Sequence, residues 1–138
     1  MDQRISFITL AVADVAASRA FYVDGLGWTS ELEADGVVMI RVGEHLILSL
    51  WDREEFEEEV GTLSAAGGLA PFTLAHNVAT RAEVDDVLAL ARSLGRDAPA
   101  AEERVWGGYT GYFADPDGVR WEIAYNPDPI GETLLPKA

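Results

Sequence analysis

Few residues in this chain have the chemistry to act on a small molecule, and the most telling is a carboxylate in an apolar run. Glu122 lies in the middle of Val119 to Tyr125, where alternation turns Trp121, Ile123 and Tyr125 to one side and Arg120, Glu122 and Ala124 to the other. Such a carboxylate is either a solvated side chain or, when it enters a recess, a hydrogen-bond acceptor, a general base or one oxygen ligand of a metal ion. The two histidines supply the ring nitrogens. His76 alternates with Leu74 and Val78 on the side that a helix would cover, the position of a core or edge histidine. His45 falls with Ile47, Ser49 and Trp51, but it stands beside the Gly43 turn, at a rim. Neither rebuilds a metal site with Glu122. There is no cysteine, which removes thiol nucleophiles and thiolate ligands. Gly107, Gly108 and Gly111 lack the strand-to-helix context of a phosphate-binding loop and leave room for close backbone approach instead.

Composition narrows the partners. Against 24 acidic residues stand 10 basic ones, a net charge of −14. That field repels phosphate backbones and anionic lipid, so neither nucleic acid nor a membrane surface is an expected partner. No signal-peptide core or membrane-length apolar span is present, and a soluble cytoplasmic protein is expected. The 138 residues suit a single domain that buries about two-thirds of its unfolded surface without disulfides. Glu54, Glu55, Glu57, Glu58 and Glu59 crowd around Phe56, which reads as a solvated face or as a lid over a pocket.

The elements that position these residues recur. Ile5 to Val12 alternates as a strand, Asp14 is placed as an N-cap, and Ala17, Ala20 and Phe21 form a short helical stripe that stops at Gly25 and Gly27. Strands follow at 28–32, 37–42 and 45–51. After an acidic and glycine-rich connection over 52–71, with room for one short helix, Phe72 to Val78 begins again as a strand. Thr80-Arg81-Ala82-Glu83 is a capping box, and Val84, Val87, Leu88, Ala91 and Leu94 carry the stripe of the clearest helix in the chain. A short strand within 96–104 and a hairpin of Tyr109 to Ala114 and Val119 to Tyr125 around Asp115-Pro116-Asp117-Gly118 complete the second half.

Both halves read β-α-β-β-β, about 5–51 and 72–126, a repeat with little sequence identity. Aligned on Asp14 and Thr80, Phe7 falls on Thr73; aligned on Gly43 and Gly118, Ile47 falls beside Glu122. The expected fold is α+β, with the two βαβββ modules forming a curled mixed sheet around a cleft and the helices outside.

These motifs resemble a known family. The opening Ile8-Thr9-Leu10-Ala11-Val12-Ala13-Asp14 with Phe21-Tyr22 and Leu26-Gly27, and above all Gly111-Tyr-Phe-Ala-Asp-Pro-Asp-Gly-Val-Arg-Trp-Glu-Ile, are similar to the vicinal oxygen chelate superfamily, which includes glyoxalase I, bleomycin and fosfomycin resistance proteins and extradiol dioxygenases. The resemblance implies a homodimer and, in metal-dependent members, His or Glu ligands from the first and last strands of each unit. Carried over, those positions are Phe7, Thr73, Ile47 and Glu122, of which Glu122 alone keeps a ligand type.

The reading that follows is a protein that binds a small, partly apolar or aromatic molecule. Phe7, Ile47, Ser49, Trp51, Thr73, Trp106, Tyr109 and Glu122 line its cleft, Glu122 is the candidate catalytic group, and no cofactor is expected. Two alternatives stay open. One is an enzyme, a lyase or isomerase of the lactoylglutathione lyase type or a dioxygenase, with divalent Zn, Ni, Mn or Fe; the other is a non-catalytic interaction scaffold.

Overall fold

The computed structural model describes residues 1, 3–65 and 67–136, and the chain divides into two compact units, Met1–Gly67 and Gly68–Ala138. In the first, β1 (Phe7–Val12) leads into α1 (Val15–Arg19), a π-helical turn (Ala20–Gly25), β2 (Ser30–Ala34), β3 (Val37–Gly43), β4 (Leu46–Asp52) and α2 (Arg53–Glu59). The sheet order is β1-β4-β3-β2, with β1 parallel to β4 and the other pairs antiparallel. Asp14 caps α1 by accepting from the Ala17 amide at 3.0 Å. Register places Leu10, Val12, Val38, Ile40, Leu48 and Leu50 on one face, and all are buried. Phe21 and Tyr22, packed edge to face at 5.1 Å, are buried with them.

The second unit repeats the plan. β5 (Leu74–Val78), α3 (Arg81–Ser93), β6 (Glu102–Glu103), β7 (Tyr109–Ala114), β8 (Arg120–Tyr125) and α4 (Pro129–Thr133) follow in order, and the sheet runs β5-β8-β7-β6 with β5 parallel to β8. The capping box is formed in full: the Thr80 hydroxyl accepts from the Glu83 amide, and the Glu83 carboxylate accepts from the Thr80 amide at 2.8 Å. Val84, Leu88 and Ala91 of α3 are buried, one apolar stripe at helical spacing. They meet the sheet where Gly111 stands, and a Cβ at that position would overlap Leu88. Phe113 and Trp121, register partners across the hairpin, stack on the same face with Ile123.

The α+β class and the two βαβββ repeats are therefore as expected, each as an open four-stranded sheet. β1 and β5 each start two residues later than expected, at Phe7 and Leu74, and three further boundaries differ. The run after Asp14 widens into a π turn instead of staying α-helical. Trp28 precedes β2 and packs its ring on Tyr22 at 5.6 Å. The strand expected within 96–104 shrinks to Glu102–Glu103, after Pro99, which has no amide to give a sheet.

Candidate functional site

In the second unit, the face opposite α3 carries the chemistry. Glu122 sits on β8 between Ala75 of β5 and Tyr112 of β7. The Tyr112 hydroxyl donates to Glu122 Oε1 at 2.8 Å, so the carboxylate is held by a partner from the facing strand. One row further along, Thr110 is buried and its Oγ1 accepts from Arg104 Nε at 2.6 Å, while Arg104 Nη1 donates to Glu102 at 3.1 Å. The Arg104 guanidinium lies 6.0 Å from the centre of the Tyr112 ring. Burial, then the hydrogen bond to Glu122 and the charge of that carboxylate, raise the Tyr112 hydroxyl above its ordinary value; the Arg104 charge and the Thr110 hydroxyl oppose this weakly. Tyr112 therefore remains a donor through the physiological range.

Arg120 shares this face, two residues from Glu122 on β8, beside Ala114. It forms no ion pair with Glu122, and its side chain has no hydrogen-bond partner among the described residues.

In the first unit, Phe7 lies beside Ile47, Thr9 beside Ser49 and Ala11 beside Trp51, so Phe7, Ile47, Ser49 and Trp51 do share one face. Phe7 is 52% exposed, whereas Ile47 and Ser49 are buried. Trp51 does not stand open: its indole N–H donates to Glu55 Oε2 at 2.7 Å and its ring meets Phe56 edge to face at 5.9 Å. The acidic run is thus neither wholly solvated nor detached, because α2 is pinned to β4 through Trp51.

Two expected positions, Thr73 and Tyr109, need correction. Thr73 precedes β5 and is exposed, and the residue paired with Glu122 is Ala75, two positions on; parallel pairing set by a crossover helix slid the register while keeping the face. Tyr109 alternates with Gly111 and Phe113 onto the α3 side, where its hydroxyl donates to Asp85 at 2.9 Å, so it does not share the Glu122 face. Trp106 is 47% exposed in the turn before β7, with its ring lying over the backbone of Gly108. Of the histidines, His45 is exposed beside Glu44, a rim position, and His76 is exposed on the edge strand β5. The residue that the sequence reading missed is Tyr112. The signal lies in the turn: Asp115 and Val119 close a three-residue loop, Pro116 to Gly118, and counting back from that pair puts Tyr112 opposite Glu122.

A pH dependence follows from the two tyrosines. Tyr109 is also raised, by its hydrogen bond to Asp85 first and then by burial and the Asp85 charge. A tyrosine raised in the fold keeps its proton where the unfolded chain loses it. Stability is therefore intact below the ordinary value of 10.0 and falls as pH rises beyond it. Urea midpoints measured between pH 9 and 11.5 should decline more steeply for the native chain than for Tyr109→Phe/Tyr112→Phe; parallel declines would remove the tyrosines as the cause.

Comparison with known proteins decides the family. The family model described as Glyoxalase/Bleomycin resistance protein/Dioxygenase superfamily matches residues 4–123. The chain belongs to this superfamily. It is 32% identical to a glyoxalase-related enzyme from Fulvimarina pelagi, with a TM-score of 0.80 over 91% of this chain and 89% of that one. It is also similar to a glyoxalase/bleomycin resistance protein/dioxygenase from Nocardioides, at 25% identity and a TM-score of 0.76 over 91% and 84% of the two chains. Lactoylglutathione lyase from Agrobacterium tumefaciens shares the fold at 24% identity, with a TM-score of 0.69 over 91% and 95%. The curated proteins contain no match.

Superfamily members often use a divalent metal. The residues present here do not fit one: the paired positions are Phe7 with Ile47 and Ala75 with Glu122, which offer one carboxylate among four. Among the described residues no group of three or more His, Cys, Asp or Glu side chains is placed to hold an ion.

Proposed function

We propose that this superfamily member binds a small, partly aromatic or apolar molecule without a resident metal, and that Glu122 makes the decisive polar contact. The observation that carries the reading is the Tyr112–Glu122 hydrogen bond. Where a metal-dependent relative would spend a last-strand carboxylate on an ion, here a tyrosine from the neighbouring strand holds it in place.

Elemental analysis of the dialysed protein should find well under one divalent ion per chain, because one carboxylate leaves an ion largely dependent on water. Native mass spectrometry of the same sample is expected to retain a small non-peptide molecule. One equivalent of Zn, Ni, Mn or Fe, lost on Glu122→Ala, would overturn this proposal in favour of a metal-dependent lyase, isomerase or dioxygenase.

The working form is a cytoplasmic homodimer. Each sheet ends in open edges, β1 and β2 in one and β5 and β6 in the other, which a two-fold partner can cover. The described residues contain no helix long and apolar enough to cross a membrane. Light scattering at micromolar concentration should return twice the chain mass; a monomer at every concentration would refute the dimer.

A further inference from the structure

Glu122 and Arg120 are opposite charges two residues apart on the same face of β8, and they do not meet. Glu122 has taken Tyr112 as its partner through Oε1, which leaves Oε2 with no hydrogen bond among the described residues. Arg120 is half-buried and its five N–H donors have no partner among the described residues. The other donors on this face are committed. Tyr112 gives its one proton to Glu122, Arg104 gives its donors to Thr110 and Glu102, and the Thr110 hydroxyl is buried. An acceptor and a donor of opposite charge thus stand roughly 7 Å apart along the strand, the span of two residues. Ala75 flanks Glu122 on β5 and Ala114 flanks Arg120 on β7, and Tyr112 is the one side chain among the described residues that bonds to either group.

We infer that the Glu122–Arg120 face of the second unit recognises a bifunctional small molecule, with a hydrogen-bond donor (an amine or hydroxyl) directed at Glu122 and an anionic group, such as a carboxylate, about two strand residues away at Arg120. Tyr112 is the positioning residue. By holding Oε1 it fixes the carboxylate rotamer and keeps Glu122 from swinging to Arg120, which would collapse the two functions into a surface ion pair. A molecule with only one of the two groups satisfies half of the face. A molecule with an acceptor where Glu122 waits places two acceptors against each other. This inference rests on the reading above that the face binds a small molecule, and it adds the chemical class.

The test uses 4-aminobenzoate as the probe, with 4-(dimethylamino)benzoate, which lacks the N–H donors, and aniline, which lacks the carboxylate, as controls. Binding to the full chain is followed by NMR titration of the Tyr112 ring and the β8 amides. 4-Aminobenzoate should bind about tenfold more tightly than either control, the scale of a hydrogen bond to a charged group. Glu122→Gln keeps the shape and the bond from Tyr112 but puts an amide N–H where Oε2 stood, so the advantage over the dimethyl control should vanish. Arg120→Gln should cancel the advantage over aniline alone. Tyr112→Phe should weaken 4-aminobenzoate several-fold while leaving the fold's amide spectrum unchanged elsewhere. If all three probes bind this face equally, the bifunctional inference fails although the face still binds small molecules. If no probe moves a resonance on the face at millimolar concentration, the binding proposal for this face fails with it.

Discussion

Phe113→Ala should remove about 3 to 5 kcal/mol of folding stability, the usual cost of deleting a phenyl ring from a closed core. Phe113 is 2% exposed and its ring lies nearly parallel to Trp121, with centres 6.5 Å apart and 12° between planes. Both rings fill the space under α3 together with Leu88 and Ile123, themselves almost fully buried. Alanine there leaves a cavity walled by the large, rigid Trp121 ring, which cannot fold in to refill it. The consequence for function is separable, because alternation turns Tyr112 and Thr110 to the other side of the strand. Urea denaturation should show the full loss, while 4-aminobenzoate affinity measured well below the melting temperature should change by less than about twofold, since the face opposite α3 keeps its groups. A stability loss under about 1 kcal/mol would mean that α3 does not seal this core.

The parts of the molecule that were legible from sequence are those set by local chemistry. Thr80 to Glu83 is a capping box because each side chain reaches an orphan amide within one turn, and it forms as such. Alternation puts Glu122 and Arg120 on one face and Trp121 and Ile123 on the other, and burial follows that division from Arg120 to Ile123 before Ala124 and Tyr125 reverse it. What failed was whatever depends on how strands are laid beside one another at a distance. Aligned on the helix caps, Thr73 is the counterpart of Phe7, but a parallel pair joined through a helix has no turn to fix its register, and Ala75 is the residue that pairs with Glu122 as Phe7 pairs with Ile47. Tyr109 and Tyr112 are a different case. Both lie on the hairpin, and counting outward from Asp115 and Val119, which close a three-residue loop, places Tyr112 opposite Glu122 and Tyr109 opposite Tyr125, on the helix side. The pinning of α2 by Trp51 needed only an i to i+4 step from Trp51 to Glu55, yet five carboxylates in seven residues favoured reading the run as solvent-facing.

The hairpin that sets this register is itself open to test. Asp115→Ala should cost about 2 to 3 kcal/mol and should also disturb Glu122, seven residues away in sequence. Asp115 is 2% exposed, and its Oδ1 accepts from the amides of Asp117 and Val119, each at 2.9 Å. The backbone closes around the same residue: its amide donates to the Val119 carbonyl, and its carbonyl accepts from Gly118, whose φ of +85° is one that a side chain resists. Alanine removes the acceptor from both amides at once, and each buried amide left without a partner costs on the order of 1 to 3 kcal/mol. Asp115→Asn keeps an oxygen at Oδ1 and should lose under about 1 kcal/mol, which separates the acceptor from the charge. The functional effect comes through register. The turn fixes Ala114 against Arg120 and therefore Tyr112 against Glu122, and a slip of one residue would send Glu122 and Arg120 to the α3 side. In Asp115→Ala the Tyr112 ring should lose its close contacts to Glu122 in NMR spectra, and 4-aminobenzoate should bind no better than aniline. If stability falls as expected while the Tyr112–Glu122 contact and the probe preference both survive, the register is held by β5 and β8 pairing, and the turn contributes stability alone.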